Sequence, residues 1–244
     1  MLTPQIIAKM LDHSTLQPFL TADDIRAGCD IALQYDTASV CARPGDMKLV
    51  SQLLCGSDVK VCTVIGFPHG AHRTDVKVFE ARRALDDGCT ELDMVINIGL
   101  MMASNFQAAE DDIRAVAEAA HAQGAILKVI FETCYLNEAQ KIAACQLSER
   151  AGADFVKTST GYGAAGATVE DVRLMRANVS ERVLVKASGG IRDLDTVLAM
   201  RAAGAARCGV SATAAIMEEA LRRHEAGTLV EAKACAAVAS SDGY

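Results

Sequence analysis

Short, mostly apolar runs alternate along the chain with longer stretches whose apolar positions recur every three or four residues, a pattern that predicts strands separated by helices. The strand-like runs are 10–14, 37–41, 59–65, 91–97, 126–132, 155–160, a run from Val183, and 208–211. Helix starts are written beside them. Thr3-Pro4 opens a short N-terminal helix, and Thr21 with Asp24 is close to a capping box over 21–35. Asn137 with Gln140, Thr168 with Glu170 and Asp171, and Asp193 open three more helices. Further helices are expected over 47–54, 74–87, 105–123 and 212–226, with an alanine-rich one over 228–239.

Four helix-to-strand junctions share one design: Gly88-Cys89-Thr90, Gly124-Ala125-Ile126, Gly152-Ala153-Asp154 and Gly204-Ala205-Ala206. Glycine takes the left-handed conformation that closes a helix, and a tight link then starts the strand. A repeated βα unit with eight candidate strands points to the α/β class and one closed (β/α)8 TIM barrel with a short N-terminal helix. An open doubly wound sheet is the competing arrangement. One domain is expected over 1–244, with the first helix within 1–9 and a flexible tail at 240–244.

Composition narrows the setting. At 244 residues and 51% hydrophobic the chain can bury a large core, and barrels of this kind run to roughly 250 residues. A net charge of −7 and a pI near 5.3 repel nucleic acid and anionic membrane surfaces, so neither is expected as a partner. Nine cysteines without a C-x-x-C pair read as reduced, mostly core thiols. No apolar stretch approaches the length of a membrane span, and a cytoplasmic protein is expected.

The chemistry concentrates in Ala151–Gly163. Lys157 stands in a short apolar run that breaks at Gly161 and Gly163. Such a lysine either reaches water along its own stem or sits in a low-dielectric site that disfavours its charge. Val183-Leu184-Val185-Lys186-Ala187-Ser188-Gly189-Gly190 repeats the arrangement. If the two strands are neighbours, two ammonium groups share one mouth and each disfavours the other's protonation, which suggests Schiff-base chemistry.

In a barrel the reactive groups lie at the C-terminal ends of strands, where Asp12, Cys41, Asp93, Lys128, Glu132 and Ser211 also fall. Asp93 reads equally well as an acid–base group and as an ion-pair partner of Lys186. Lys128 is expected to pair with Glu132, Cys41 to line the site, and Asp12 to order its neighbours by hydrogen bonds. His69 and His72 sit in one loop while His13, His121 and His224 are dispersed, so no metal site is expected.

The segments LDHSTLQP (11–18), ASVCARP (38–44), VIGFPHG (64–70), ELDMVINIG (91–99), LKVIFET (127–133), GADFVKTSTGYG (152–163) and VKASGGIR (185–192) run across most of the chain. In this order they resemble the 2-deoxyribose-5-phosphate aldolases, class I aldolases on a (β/α)8 barrel. The resemblance implies reversible cleavage of the sugar phosphate to acetaldehyde and glyceraldehyde 3-phosphate, with no metal or other cofactor. It implies Lys157 as the Schiff-base lysine, Lys186 as the second lysine of a proton relay, and Asp93 as its aspartate. Phosphate is expected at the glycine loops and the last strand, through Thr160, Gly161, Gly189, Gly190 and Ser211. Lys128 is an accessory candidate, and Tyr244 matches a terminal tyrosine that in some members folds over the site.

The chain departs from the family at Ala212, where many members have a second serine, and at Tyr162 and Gln17, where lysines occur. Those departures bear on phosphate affinity and leave the chemistry intact. Three other functions compete: the same mechanism on a different or unphosphorylated aldehyde, a sugar-phosphate isomerase or epimerase using Asp93 and Glu132 without a covalent step, and a non-catalytic sugar-phosphate sensor. The expected partners are small aldehydes and sugar phosphates, together with a homo-oligomer, a dimer by default.

Overall fold

Each of the four glycine junctions closes a helix and registers the next strand in one step. Gly88, Gly124, Gly152 and Gly204 have φ of 100°, 71°, 95° and 110°. The following amide donates five residues back, Cys89 to Ala84, Ala125 to Ala120, Ala153 to Ser148 and Ala205 to Met200, at 2.9–3.1 Å. The next amide then bonds the preceding strand: Thr90 to Val61, Ile126 to Thr90, Asp154 to Leu127, and Ala206 to Val185. Asp36, at φ 51°, makes the same closure without glycine, since a short polar residue tolerates this conformation.

The computed structural model describes residues 2–232. Among them are strands β1 Leu11–Thr15, β2 Ser39–Ala42, β3 Lys60–Ile65, β4 Glu91–Val95, β5 Ile126–Ile130, β6 Phe155–Lys157, β7 Leu184–Ser188 and β8 Arg207–Val210. All neighbours are parallel, β1 through β8 follow in sequence order, and β8 pairs with β1. This is the expected closed barrel, and it sets aside the open sheet. Gly161, Gly163 and Gly166 have the G-x-G-x-x-G spacing of a dinucleotide loop, but they follow a strand of a closed barrel and no helix begins on them.

The helices are α1 Pro4–Ala8, α2 Ala22–Tyr35, α3 Met47–Leu53, α4 Thr74–Asp86, α5 Ile98–Met102, α6 Phe106–His121, α7 Glu138–Arg150, α8 Val169–Ala177, α9 Leu194–Ala202 and α10 Thr213–Glu225. Thr21 with Asp24 and Asn137 with Gln140 form full capping boxes, and Thr3, Thr168 and Asp193 cap as their residue types require. The short α5 has no counterpart in the sequence pattern: the strand ends at Val95 and Asn97 turns to accept from the Leu100 amide at 3.1 Å. Residues 228–232 are not helical, and the rest of the stretch expected as a helix over 228–239 lies outside the described residues, as does Tyr244. Among the described residues no helix is long and apolar enough to cross a membrane.

Period-2 alternation sorts the strands into two environments. Outward residues such as Val40, Leu92, Leu127, Val129, Val156 and Val185 pack under the helices in one large apolar cluster. Inward residues are mostly polar, and Cys41, Cys62 and Val64 form a small separate apolar group inside the barrel. The barrel therefore shields most of its inward charged side chains from water except at the strand C-terminal mouth, with Arg207 partly exposed at the opposite end.

Candidate active site

Because Asp93, Lys128, Lys157 and Lys186 occupy inward positions of four consecutive strands, ring closure brings them together. Asp93 is fully buried; its Oδ2 accepts from Lys157 Nζ at 2.6 Å and from Lys186 Nζ at 2.8 Å. Its Oδ1 accepts from Lys128 Nζ at 2.8 Å and from the Cys62 thiol at 3.3 Å. Asp12 meets Lys186 at 2.5 Å and Arg207 at 2.5 Å. Glu91 meets Lys128 at 2.6 Å and Arg207 at 3.4 Å. Three carboxylates, Asp12, Glu91 and Asp93, thus face four bases, Lys128, Lys157, Lys186 and Arg207.

The charges hold one another in place. Burial by itself raises the Asp93 carboxyl, and the ammonium groups of Lys128, Lys157 and Lys186 outweigh it, holding Asp93 well below the usual carboxylate range. Asp12 is likewise lowered, with Lys186, Lys128 and Arg207 outweighing its burial. Burial works against charge on Lys186, yet Asp12 and Asp93 raise it above the ordinary lysine value. The expectation that its neighbour discharges Lys186 is corrected here. Lys157 and Lys186 are register partners, but a carboxylate stands between them and Lys186 remains an ammonium.

Above this network the mouth forms a cavity of about 350 Å³ lined by Asp12, Cys41, Lys157, Lys186 and the loops after β6, β7 and β8. Thr160, Gly161, Gly189, Gly190 and Ser211 all line it. Gly189 needs its missing side chain: φ is 88°, and a Cβ there would lie 2.9 Å from Gly166 Cα. Tyr162 arches over the mouth, its hydroxyl donating to Leu16 O at 2.9 Å and its ring edge-on to Phe67 at 5.3 Å.

Lys128 does not pair with Glu132. β5 ends at Ile130, so alternation no longer applies at Glu132, which adopts φ 54° and turns its carboxylate to the Thr160 amide at 3.2 Å and to the Thr160 hydroxyl. Arg207 and Glu91 were not singled out from the sequence. Their signal was alternation alone: each stands two residues before an inward position, Gly209 and Asp93. Ser188, on the face that alternation gives Lys186, also lines the mouth, as does Arg192, which the sequence did not mark.

Cys41 Sγ, Cys62 Sγ and a carboxylate oxygen of Asp93 lie within 4.8 Å of one another. That spacing suits a metal, but the donor set does not: both Asp93 oxygens already accept from lysines, and a cation there would meet Lys128, Lys157 and Lys186.

The DeoC/LacD family aldolase profile matches residues 6–219. A deoxyribose-phosphate aldolase of Thermococcus gammatolerans is 54% identical over 216 residues, covering 88% of this chain and 96% of that protein. A crystal structure of a putative deoxyribose-phosphate aldolase from Coccidioides immitis superposes with TM-score 0.86 at 43% identity, covering 89% of this chain and 87% of the other. The deoxyribose phosphate aldolase of Aeropyrum pernix, described as a tetramer, superposes with TM-score 0.84 at 32% identity over 89% and 92% of the two chains. With the profile matched over most of its length, and with these relatives covered almost end to end, the chain belongs to the DeoC/LacD family of aldolases.

Proposed function

We propose that this chain is a metal-free Schiff-base aldolase that reversibly cleaves 2-deoxyribose 5-phosphate to acetaldehyde and glyceraldehyde 3-phosphate. The observation that carries the reading is the amine of Lys157 at the floor of the cavity, 2.6 Å from a carboxylate oxygen that also binds Lys186. The barrel interior holds one more base than carboxylates, so loss of a single proton makes it neutral. Lys157, at the mouth, is the group whose loss of that proton creates a nucleophile.

The free amine adds to the sugar aldehyde, and the carbinolamine oxygen takes a proton and leaves as water. Lys186, held as an ammonium and joined to Lys157 through Asp93, is the donor in reach. The resulting iminium accepts the electron pair of the breaking C–C bond while a base removes the C3 hydroxyl proton. Lys186, a free amine once it has given its proton to the departing water, takes that proton through Asp93 and is an ammonium again, ready to protonate the enamine. Protonation of the enamine and attack of water then release acetaldehyde and restore Lys157.

At the other end of the cavity we assign the phosphate to the residues Gly189, Gly190, Ser211 and Arg192, whose backbone amides, hydroxyl and guanidinium are the groups suited to an anion. The Glu132 carboxylate is bound to Thr160 rather than aimed at Asp93, which weighs against an isomerase built on those two acids. A second acceptor is favoured by one feature: Tyr162 and Ala212 stand where lysine and serine would add phosphate contacts, so an unphosphorylated aldehyde is the alternative. The eight described cysteines are free thiols, in keeping with a cytoplasmic enzyme. Phe79 is 66% and Val76 46% exposed on α4, an apolar face that supports assembly with copies of the chain.

Borohydride reduction in the presence of acetaldehyde tests the mechanism. An N-ethyl adduct is expected on Lys157 and none in Lys157→Arg; an unmodified wild-type Lys157 would refute it. Turnover of deoxyribose 5-phosphate against free deoxyribose tests the substrate separately.

A further inference from the structure

Cys41 and Cys62 are register partners on neighbouring strands and both face the barrel interior. Adjacent strands lie about 4.8 Å apart, inside the range of about 4.4–6.8 Å between the Cα atoms of a disulfide. The two sulfurs lie within 4.8 Å of each other. Cys41 is 2% exposed and lines the same cavity as Lys157, which is 3% exposed, so a molecule small enough to reach the amine reaches the thiol.

The two thiols are not equivalent. The hydrogen bond that the Cys62 thiol can give a Cys41 thiolate, in place of its bond to Asp93, pulls the Cys41 thiol below its ordinary value against the effect of burial, whereas burial, and then that same interaction, push Cys62 up. Cysteines packed under the helices behave differently: burial pushes Cys145 and Cys208 up to about 12. Cys41 is therefore the one thiol of these four whose surroundings favour loss of its proton, and it has a second thiol beside it.

We propose that Cys41 and Cys62 form an oxidation site, which a hydroperoxide converts to a disulfide across β2 and β3. Cys41 Sγ attacks the peroxide oxygen, the O–O bond breaks, and the thiol proton leaves with the alcohol or water, giving a sulfenic acid. Cys62 Sγ then attacks Cys41 Sγ, the S–O bond breaks, and hydroxide departs with the Cys62 proton as water. In sum, two thiols and one hydroperoxide give a disulfide, an alcohol and water.

Bridging brings the two Cβ atoms about 1 Å closer than strand spacing, toward about 3.8 Å, and leaves a bond that thiols reduce readily. It also removes the Cys62 proton that now bonds Asp93 Oδ1 and shifts the sulfur that accepts from Lys128 at 3.4 Å. The site therefore loses activity on oxidation, a consequence that rests on the aldolase reading, whereas the bond itself does not.

The test is treatment of the full chain with hydrogen peroxide, blocking of free thiols, tryptic digestion and mass spectrometry. The expected result is peptide 27–48 joined to 61–73 through Cys41 and Cys62, with loss of activity, both reversed by dithiothreitol. In Cys62→Ala, or in Cys62→Ser where the alanine variant does not fold, no link forms and Cys41 goes on to the sulfinic acid, which dithiothreitol does not reverse. Oxidation confined to the exposed Cys55 and Cys134, or a dithiothreitol-reversible change at Cys41 in the Cys62 variants, would overturn the site. A link that forms while activity is kept would overturn the inhibition. A link in a protein with no aldolase activity would fault the function and not the bond.

Discussion

One oxygen of Asp93 binds both active-site lysines, at 2.6 Å from Lys157 and 2.8 Å from Lys186. A proton crossing between the two nitrogens therefore needs no water on its way. Asp93→Asn keeps the shape but supplies neither the charge nor a ready proton acceptor. Its kcat is expected to fall by about 10²–10⁴-fold, the usual weight of a positioned acid–base group. Steady-state cleavage kinetics beside a circular dichroism spectrum check this; a loss under tenfold in a folded variant would count against the relay.

Glu132 holds the loop that carries Thr160 and Gly161, although it touches no reacting group. Loss of a hydrogen bond to a charged group costs about 1.5–3 kcal/mol. Glu132→Ala is therefore expected to raise KM for the sugar phosphate by about tenfold or more while acetaldehyde trapping at Lys157 is kept. Glu132→Gln, which retains an acceptor, should recover much of the loss. Parallel loss of trapping in both variants would show that the whole site had been disrupted.

His13 faces outward from β1, buried under α10 with Nδ1 2.8 Å from the Thr213 hydroxyl, and burial pushes its imidazole down to about 4 from an ordinary 6.5. Between these values the unfolded chain binds a proton that the folded one does not. Stability should therefore fall as pH drops from about 6.5 toward 4, by about 3 kcal/mol at most. Urea unfolding across this window should show a shallower slope for His13→Gln, and an unchanged slope would assign the effect to other groups.

Lys77 and Asp112 join α4 to α6 as a fully buried pair at 2.6 Å, and Lys77 also donates to Val95 O at 3.0 Å, at the end of the strand bearing Asp93. Lys77→Met strands a buried carboxylate and is expected to cost about 3–5 kcal/mol, whereas Lys77→Met with Asp112→Leu should recover most of it. Thermal and denaturant midpoints of the two variants decide. Equal losses would mean that the bond to Val95, not the ion pair, carries the stability.

Much of the architecture is local and was legible in the chain. Thr21 with Asp24 and Asn137 with Gln140 cap helices by hydrogen bonds three residues long, and Gly88, Gly124, Gly152 and Gly204 close them by their own backbone freedom. Alternation places Lys157 and Lys186 on one face of neighbouring strands, and the segments around them carry the family resemblance. Partner choice inside the barrel was not legible. Asp93 reaches Lys186 across 93 positions of sequence, and Lys128 chooses Glu91 and Asp93 over Glu132 because β5 ends before Glu132 and the backbone there turns away. Arg207, which a strand beginning at Cys208 leaves out, completes the interior charge set through Asp12 and Glu91. Backbone preferences act over a few residues and survive in the sequence as spacing. Pairing of buried charges depends on distances across a closed ring, and those exist only once β8 has met β1.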